Sequence, residues 1–157
     1  MKKFSLGAIS IALIFTLSSC FTSTDEGTSD YKLTCKIDGV SKTFYAGGFG
    51  LDTYDSTYNN FYENPDNENE YVYLKFPHPV VTNYAYSKSD ADFELEYHVS
   101  STEYYSSNYA TATLTLTVTE WGTNNGDPIS GTFSGKISSL SGEKVITDGT
   151  FESELVQ

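Results

Sequence analysis

One stretch decides the fold class of this chain: residues 111–137, which read TATLTLTVTEWGTNNGDPISGTFSGKI. Apolar side chains occupy the even positions of 112–118, and threonines occupy the odd positions beside them. Alternation with a period of two is typical of a β-strand that buries one face. The segment 124–128 (NNGDP) then predicts a turn, and residues 129–137 predict a strand that returns beside the first.

The same alternation recurs on both sides of this stretch. No part of residues 31–157 has the 3.6-residue apolar period of a helix, and turn residues recur at short intervals. We therefore predict a single all-β domain over residues 31–157, an antiparallel β-sandwich or barrel of about eight or nine strands. Residues 52–70 are polar and predict a long surface loop with a short strand inside it. The other strands are predicted at residues 33–37, 40–45, 71–76, 80–86, 92–99 and 144–156.

The start of the chain has the features of an export signal. Lys2 and Lys3 precede an uncharged apolar run at residues 6–17. This run is too short to span a bilayer, which takes roughly 20 helical residues, and it has the length of a secretory signal. It ends in Leu17-Ser18-Ser19-Cys20, a tetrad that resembles the bacterial lipobox.

The lipobox resemblance implies removal of residues 1–19 as a signal peptide and lipidation of Cys20, with fatty acyl chains such as palmitate. Two or more chains hold a protein stably on a membrane, because each buried CH₂ contributes about 0.8 kcal/mol. Residues 20–30 are small, polar and acidic and predict a flexible tether. The alternative is a plain secreted protein with a chance cysteine at the cleavage site.

Two further motifs resemble a family. Residues 35–39 (CKIDG) followed by Phe44, and residues 129–135 (ISGTFSG) followed by 145–151 (VITDGTF), resemble small Bacteroidota lipoproteins of uncharacterised function. The resemblance implies a hairpin at the first motif and paired strands at the second. It also implies a lipid-anchored location in the cell envelope, at the outer membrane, and leaves the periplasmic or surface face open. It brings no catalytic residue.

Charge restricts the partners of the mature chain. The whole chain has a net charge of −12, and removal of residues 1–19 takes away two lysines and no carboxylate, which leaves −14. All nine basic residues are lysines. This balance disfavours nucleic acid, whose binding depends on Lys and Arg contacts to phosphate. It also opposes contact of the protein surface with anionic lipid, so we expect the lipid to provide the attachment.

Few residues here are arranged for catalysis. His78 lies between two prolines, His98 projects from the polar side of a predicted strand, and no serine lies in a Gly-x-Ser-x-Gly elbow. Glu94 and Glu96 share one strand face, where a solvated charged stripe explains them better than a glycosidase pair. Cys35 alternates with apolar residues and predicts a buried inert thiol rather than a reactive one. We expect no enzyme and no cofactor.

Metal ligands are sparse as well. No set of His, Cys and carboxylate residues has zinc-site spacing. Asp66, Glu68 and Glu70 form the densest cluster of carboxylates and are weak candidates for calcium, which binds several oxygen ligands. The cluster lacks the glycine of an EF-hand loop, and a solvated loop is the favoured interpretation.

Tyrosine is the most informative residue type, with 13 copies. Tyr104, Tyr105 and Tyr109 precede the long strand, and Trp121 ends it. Exposed aromatic faces stack on sugars, so these four residues are candidates for ligand binding. The alternative is that tyrosine simply suits strands and the edges of a β-core.

The sequence therefore favours a lipid-anchored envelope protein with a non-enzymatic β domain that binds a glycan or another ligand. The alternative is a structural or assembly lipoprotein that contacts another envelope protein through an exposed sheet edge.

Overall fold

Alternating burial organises the whole described chain. The computed structural model describes residues 31–156, and every regular element in that range is a β-strand. The signal peptide, Cys20 and the tether predicted for residues 1–30 lie outside the described residues. The strands are β1 (Lys32–Ile37), β2 (Val40–Ala46), β3 (Phe49–Asp52), β4 (Thr57–Asn64), β5 (Asn67–Pro77), β6 (Ala85–Ser87), β7 (Glu94–His98), β8 (Tyr104–Ser106), β9 (Thr115–Trp121), β10 (Pro128–Ser139) and β11 (Gly142–Val156).

Eight of these strands close into an antiparallel barrel. Their order is β1-β2-β4-β5-β7-β8-β10-β11, and β11 pairs back with β1. Strand β3 pairs with both β11 and β4, β9 pairs with β10, and β6 pairs with β9. The predicted all-β antiparallel class is confirmed, and its form is a barrel. The three strands outside the closed ring bring the total to eleven, above the predicted number.

The two ends of the barrel differ because successive barrel strands run in opposite directions. Four short turns, which join β1 to β2, β4 to β5, β7 to β8 and β10 to β11, lie at one end, called here the hairpin end. The β3–β4, β5–β6 and β9–β10 connections lie at the opposite end, called here the loop end. The chain also begins at the loop end, with Tyr31 directly before β1.

Pairs of glycine and phenylalanine fix the contact between β10 and β11. Gly131 lies opposite Phe151, and Phe133 lies opposite Gly149. A Cβ atom on Gly131 would lie 2.4 Å from the Phe151 ring, and one on Gly149 would lie 2.4 Å from the Phe133 carbonyl oxygen. Each ring thus covers a strand position that only glycine can occupy. These four residues belong to the motifs that carry the family resemblance, so that resemblance describes packing inside the barrel.

Residues 52–70 are not a long loop, and that prediction is wrong. They contain all of β4 and the first part of β5, which form one hairpin. Tyr58, Asn60 and Tyr62 all point inward from β4. The Asn60 amide donates to the hydroxyl of Ser153 at 3.0 Å, so a polar side chain occupies a core position with a partner from β11. Because a polar residue occupies this inward position, the sequence of β4 does not show the regular apolar alternation that predicts a strand.

Three other predicted strands are shorter than expected, and the one predicted at residues 92–99 spans only Glu94–His98. Only Ala85–Ser87 forms a strand in the segment predicted at 80–86. Strand β9 begins at Thr115 because the amides of Thr113 and Leu114 both donate to the carbonyl of Lys136, at 2.9 and 3.0 Å, which bends the chain. The apolar residues at even positions of 112–118 are buried as predicted.

Candidate functional site

The candidate site lies on the outer face of four neighbouring barrel strands, β4, β5, β7 and β8. Leu95 and Tyr97 are buried, so the alternation along β7 turns Glu94, Glu96 and His98 outward. The predicted polar side of this strand is confirmed. The strand β5 turns its own outer residues toward the same surface, where the two strands pair in register.

A histidine lies between two tyrosine rings at the centre of this face. The His98 ring is stacked on Tyr71, with centroids 4.2 Å apart and planes 11° apart, and on Tyr104, at 5.1 Å and 14°. Cross-strand pairing brings the three rings together, since His98 pairs with Tyr71 on one side and with Tyr104 on the other. His98 Nε2 lies 2.9 Å from a carboxylate oxygen of Glu96, which fixes the orientation of the imidazole.

Two more rings, Phe61 on β4 and Tyr73 on β5, adjoin this stack in tilted contacts, with interplanar angles of 60° for Phe61–Tyr71 and 39° for Phe61–Tyr73. Phe61 lies 5.8 Å from Tyr71 and 4.8 Å from Tyr73, measured between ring centroids. Phe61 is 50% exposed and Tyr104 is 41% exposed, so both ends of this row of rings face solvent. We call the five side chains together the aromatic platform: Phe61, Tyr71, Tyr73, His98 and Tyr104.

Carboxylates and amides lie beside the platform. Glu94 accepts hydrogen bonds from the Asn108 amide at 2.7 Å and from the Ser106 hydroxyl at 3.2 Å. Desolvation raises the pKa of the Glu94 carboxyl, and the negative charge of Glu96 raises it further, against these two hydrogen bonds. A carboxylate in this position is stabilised by any additional donor or cation that approaches it.

A shallow depression of about 380 Å³ joins these groups to the platform. Tyr109 lies beside Tyr104 here, and the interaction between the two side chains raises the pKa of the Tyr104 phenol. A second depression of about 390 Å³ adjoins Tyr104 on the side of the β10–β11 turn. The first depression is lined by Glu94, Glu96, Tyr104, Ser106, Asn108, Tyr109 and Ala110.

The four predicted binding residues therefore separate into three places. Tyr104 and Tyr109 line the same surface. Tyr105 is only 6% exposed and points into the barrel, where its hydroxyl donates to Glu103 at 2.8 Å. Trp121 is half-buried at the loop end, where its ring packs 4.9 Å from Tyr58 and 5.6 Å from Phe49.

The three weak calcium candidates do not converge. Glu70 points inward and accepts hydrogen bonds from the Lys42 ammonium at 2.7 Å, the Tyr97 hydroxyl at 2.6 Å and the Asn64 amide at 2.6 Å. Burial alone would raise the pKa of the Glu70 carboxyl, but these three donors lower it below its ordinary range. Asp66 and Glu68 are exposed near the turn. Residues 31–156 contain no group of three or more His, Cys, Asp or Glu side chains placed to hold a metal ion.

Cys35 lies within the barrel wall close to this cluster. Burial raises the pKa of the Cys35 thiol to about 12, so it is a thiol at neutral pH. The predicted burial of this cysteine is confirmed, and its low reactivity stays a prediction.

Sequence reasoning missed Tyr71 and Tyr73 as members of one surface with His98, and it assigned Phe61 to the predicted loop at residues 52–70 rather than to a strand. A signal for the tyrosines was present, because Tyr71 and Tyr73 alternate with the apolar Val72 and Leu74 and must face outward. The pairing of β5 with β7 was not visible in the sequence.

No family model, no curated protein and no solved structure matches the chain. In the described part of the chain, no helix is long and apolar enough to cross a membrane. Nothing in residues 31–156 indicates an enzymatic activity.

Proposed function

We propose that this protein is a lipid-anchored protein of the cell envelope whose β domain binds a glycan, without catalysis, on the aromatic platform. One observation carries the proposal: a row of aromatic rings, of which Tyr71, His98 and Tyr104 are stacked, lies on the outside of a closed barrel, beside Glu94 and Glu96. Sugar rings present C–H groups that pack on aromatic faces, and their hydroxyls bond to carboxylates and amides. Binding sites combine these two kinds of surface.

The rings are not needed to fill the barrel. The interior is occupied by the inward side chains of the same strands, such as Val72, Leu74 and Leu95. Single exposed apolar residues are ordinary on protein surfaces, whereas a contiguous exposed patch marks an interaction site. The alternative to ligand binding is that the tyrosines fill the core. This alternative explains Tyr105, which is buried, and does not explain Tyr104, which is exposed.

The position of the platform suits a protein anchored through Cys20. The tether would join the barrel at Tyr31 on the loop end and would reach at most roughly 33 Å if ten residues were extended. His98 ends β7 and Tyr104 begins β8, so this part of the platform lies toward the hairpin end. A ligand in the surrounding medium would meet this end of the barrel without interference from the membrane.

A catalytic role for the two glutamates is less well supported than binding. Glycosidases place two carboxyl groups on either side of the scissile bond. Glu94 and Glu96 instead lie two positions apart on one strand and face the same way. Each already has a partner on the surface, Asn108 for Glu94 and His98 for Glu96. We propose that they orient a sugar and require no cofactor.

A glycan array probed with the full chain in detergent tests the binding proposal. Tyr104→Ala and Tyr71→Ala should each lower the affinity for the best glycan about tenfold, by loss of ring contacts. Tyr54→Ala is the matched control, because Tyr54 is 95% exposed in the β3–β4 turn at the loop end. Equal binding by all three variants would exclude the platform as the site.

Palmitate labelling tests the anchor separately. The wild-type chain should incorporate labelled palmitate and lose residues 1–19. Cys20→Ala should incorporate no palmitate and should keep residues 1–19, because cleavage follows lipidation of the cysteine. If the wild-type chain incorporates no palmitate, or if Cys20→Ala is processed and labelled like it, the lipid-anchor proposal is wrong.

The alternative function is assembly with another envelope protein. Closure of the barrel limits the edge available for strand addition, and the terminal strand of the sheet, β6, has three residues. Co-purification with one stoichiometric protein partner, together with an empty glycan array, would favour this alternative.

A further inference from the structure

One line of side chains crosses five strands on the outside of the barrel. Strand pairing places Tyr45 opposite Glu63, Glu63 opposite Tyr71, Tyr71 opposite His98, and His98 opposite Tyr104. Tyr45 is 36% exposed, and none of the five side chains is buried. Adjacent strands lie about 4.8 Å apart, so the line from β2 to β8 is roughly 19 Å long. We call it the cross-strand row.

Both ends of the cross-strand row open into depressions of similar composition. The depression at the β2 end has a volume of about 430 Å³, and Tyr45, Phe61, Glu63, Asn64 and Glu68 contribute to its lining. The depression at the β8 end, described above, also combines aromatic rings, carboxylates and an asparagine. A repeated composition along one line suits a ligand with repeated units.

Carboxylates dominate the charged groups along the row, and His98 lies against one of them, Glu96. Four carboxylates lie on the row or in its two depressions: Glu63, Glu68, Glu94 and Glu96. Lys75, which lies opposite Glu94, is ion-paired with Asp55 at 3.6 Å, and Lys88 is bound to the carbonyl of Ala110 at the margin. Exposed aromatic rings and carboxylates both attract cations.

We propose that the ligand is a linear oligosaccharide that carries protonated amino groups and lies along the cross-strand row. This inference rests on the proposed glycan binding and specifies its ligand class. One sugar unit is about as long as the separation between strands, so successive units can follow successive strands. Ammonium groups on the chain would meet the carboxylates in both depressions, whereas uronic acids or phosphates would be repelled.

Calorimetric titration of the full chain in detergent provides the test. The probes are glucosamine, its β-1,4-linked tetrasaccharide and the N-acetylated tetrasaccharide, at a pH where the free amines are protonated. The amine tetrasaccharide should bind at least about tenfold more tightly than the monosaccharide, and more tightly than its neutral acetylated form. Tyr45→Ala and Glu63→Gln should weaken the tetrasaccharide more than the monosaccharide, and Tyr54→Ala should weaken neither.

Each contrary outcome has a separate meaning. Equal affinity for the monosaccharide and the tetrasaccharide would overturn the inference and leave a single-sugar site on the platform. Equal affinity for the free and the acetylated tetrasaccharides would overturn the charged ligand class. Absence of binding to every glycan, both here and on the array, would overturn the proposed function itself.

Discussion

The outer surface of the barrel has two contrasting halves. The aromatic platform covers β4, β5, β7 and β8, whereas threonines cover β1, β9, β10 and β11. Thr34 lies opposite Thr150, Thr150 opposite Thr132, and Thr132 opposite Thr117, in one register across four strands. We call these four residues the hydroxyl face.

Strand propensity explains one of these halves and not the other. Threonine and tyrosine are both good strand formers. A threonine on an outer face exposes little apolar surface, and its hydroxyl bonds to water or to a neighbour, as between Thr34 and Thr150 at 2.9 Å. The platform instead leaves large rings in contact with solvent. Strand propensity therefore accounts for the threonines of the hydroxyl face, where a depression of about 570 Å³ also lies. The platform is the half on which a ligand role is proposed, because its exposed rings have no such explanation.

The largest effect should come from the core behind the hydroxyl face. Phe151→Ala removes a fully buried ring that covers Gly131 and contacts Phe49 and Phe76, with centroids 6.3 and 6.1 Å away. We expect a loss of about 3–5 kcal/mol in the free energy of unfolding, measured by urea denaturation. Phe151→Leu, the control, should cost less because it refills part of the cavity. A loss below about 1 kcal/mol would show that the Gly131–Phe151 pair does not fix the fold.

The strands of the hydroxyl face were predicted from the sequence better than the strands of the aromatic platform. Regular apolar alternation at even positions of 112–118 and the spacing of residues 129–137 placed β9 and β10, apart from their ends. The hairpin of β4 and β5 was missed because Asn60 and Glu70 occupy inward positions. Their partners, Ser153 and Lys42, lie far away in the sequence. A pattern that separates only apolar from polar residues cannot detect such pairs.

The candidate site was predictable only where its residues are neighbours in the sequence. Tyr104 and Tyr109 were proposed together and do lie together. Tyr105 was proposed with them, although adjacent residues of a strand face opposite sides, so the alternation rule already separated it from Tyr104. Tyr71 and His98 come together through strand register, which the sequence does not specify.

A second, smaller effect should come from the polar cluster beneath the aromatic half. Glu70→Gln removes the charge that Lys42, Tyr97 and Asn64 all contact, and should cost about 1–3 kcal/mol. The pKa of Glu70 in the folded state lies below its ordinary value of 4.5. The charged form therefore contributes stability above that value, and this contribution is lost as the pH falls through the lower folded pKa.

Urea denaturation as a function of pH measures both parts of this prediction. As the pH falls from neutral to well below 4.5, the wild-type chain should lose more stability than Glu70→Gln does. Glu68→Gln is the control, because Glu68 is exposed on the same strand. Parallel pH profiles for the wild type and Glu70→Gln would mean that other carboxylates determine the acid sensitivity.

A third set of variants, at His98, compares the contributions of ring stacking and of hydrogen bonding to the stability of the platform. His98→Ala removes both stacked contacts and the contact with Glu96, and should cost about 0.5–1.5 kcal/mol. His98→Phe keeps a ring between Tyr71 and Tyr104 but cannot bond to Glu96. If stacking dominates, the phenylalanine variant should recover most of the lost stability in urea. Recovery by His98→Gln instead would indicate that the contact with Glu96 organises the platform.

The smallest effect should come from the hydroxyl face itself. Thr132 is exposed at the centre of its row, between Thr150 and Thr117, and Thr132→Ala removes a β-branched side chain without opening a cavity. We expect a change within about 0.5 kcal/mol in unfolding free energy and an unchanged glycan titration. The matched change on the other half, Tyr73→Ala, should reduce glycan affinity because it removes a ring from the platform. A large loss of stability in Thr132→Ala would mean that the threonines act as a cooperative row. A loss of glycan binding in that variant would place a ligand on the hydroxyl face, and the contrast between the two halves would then fail.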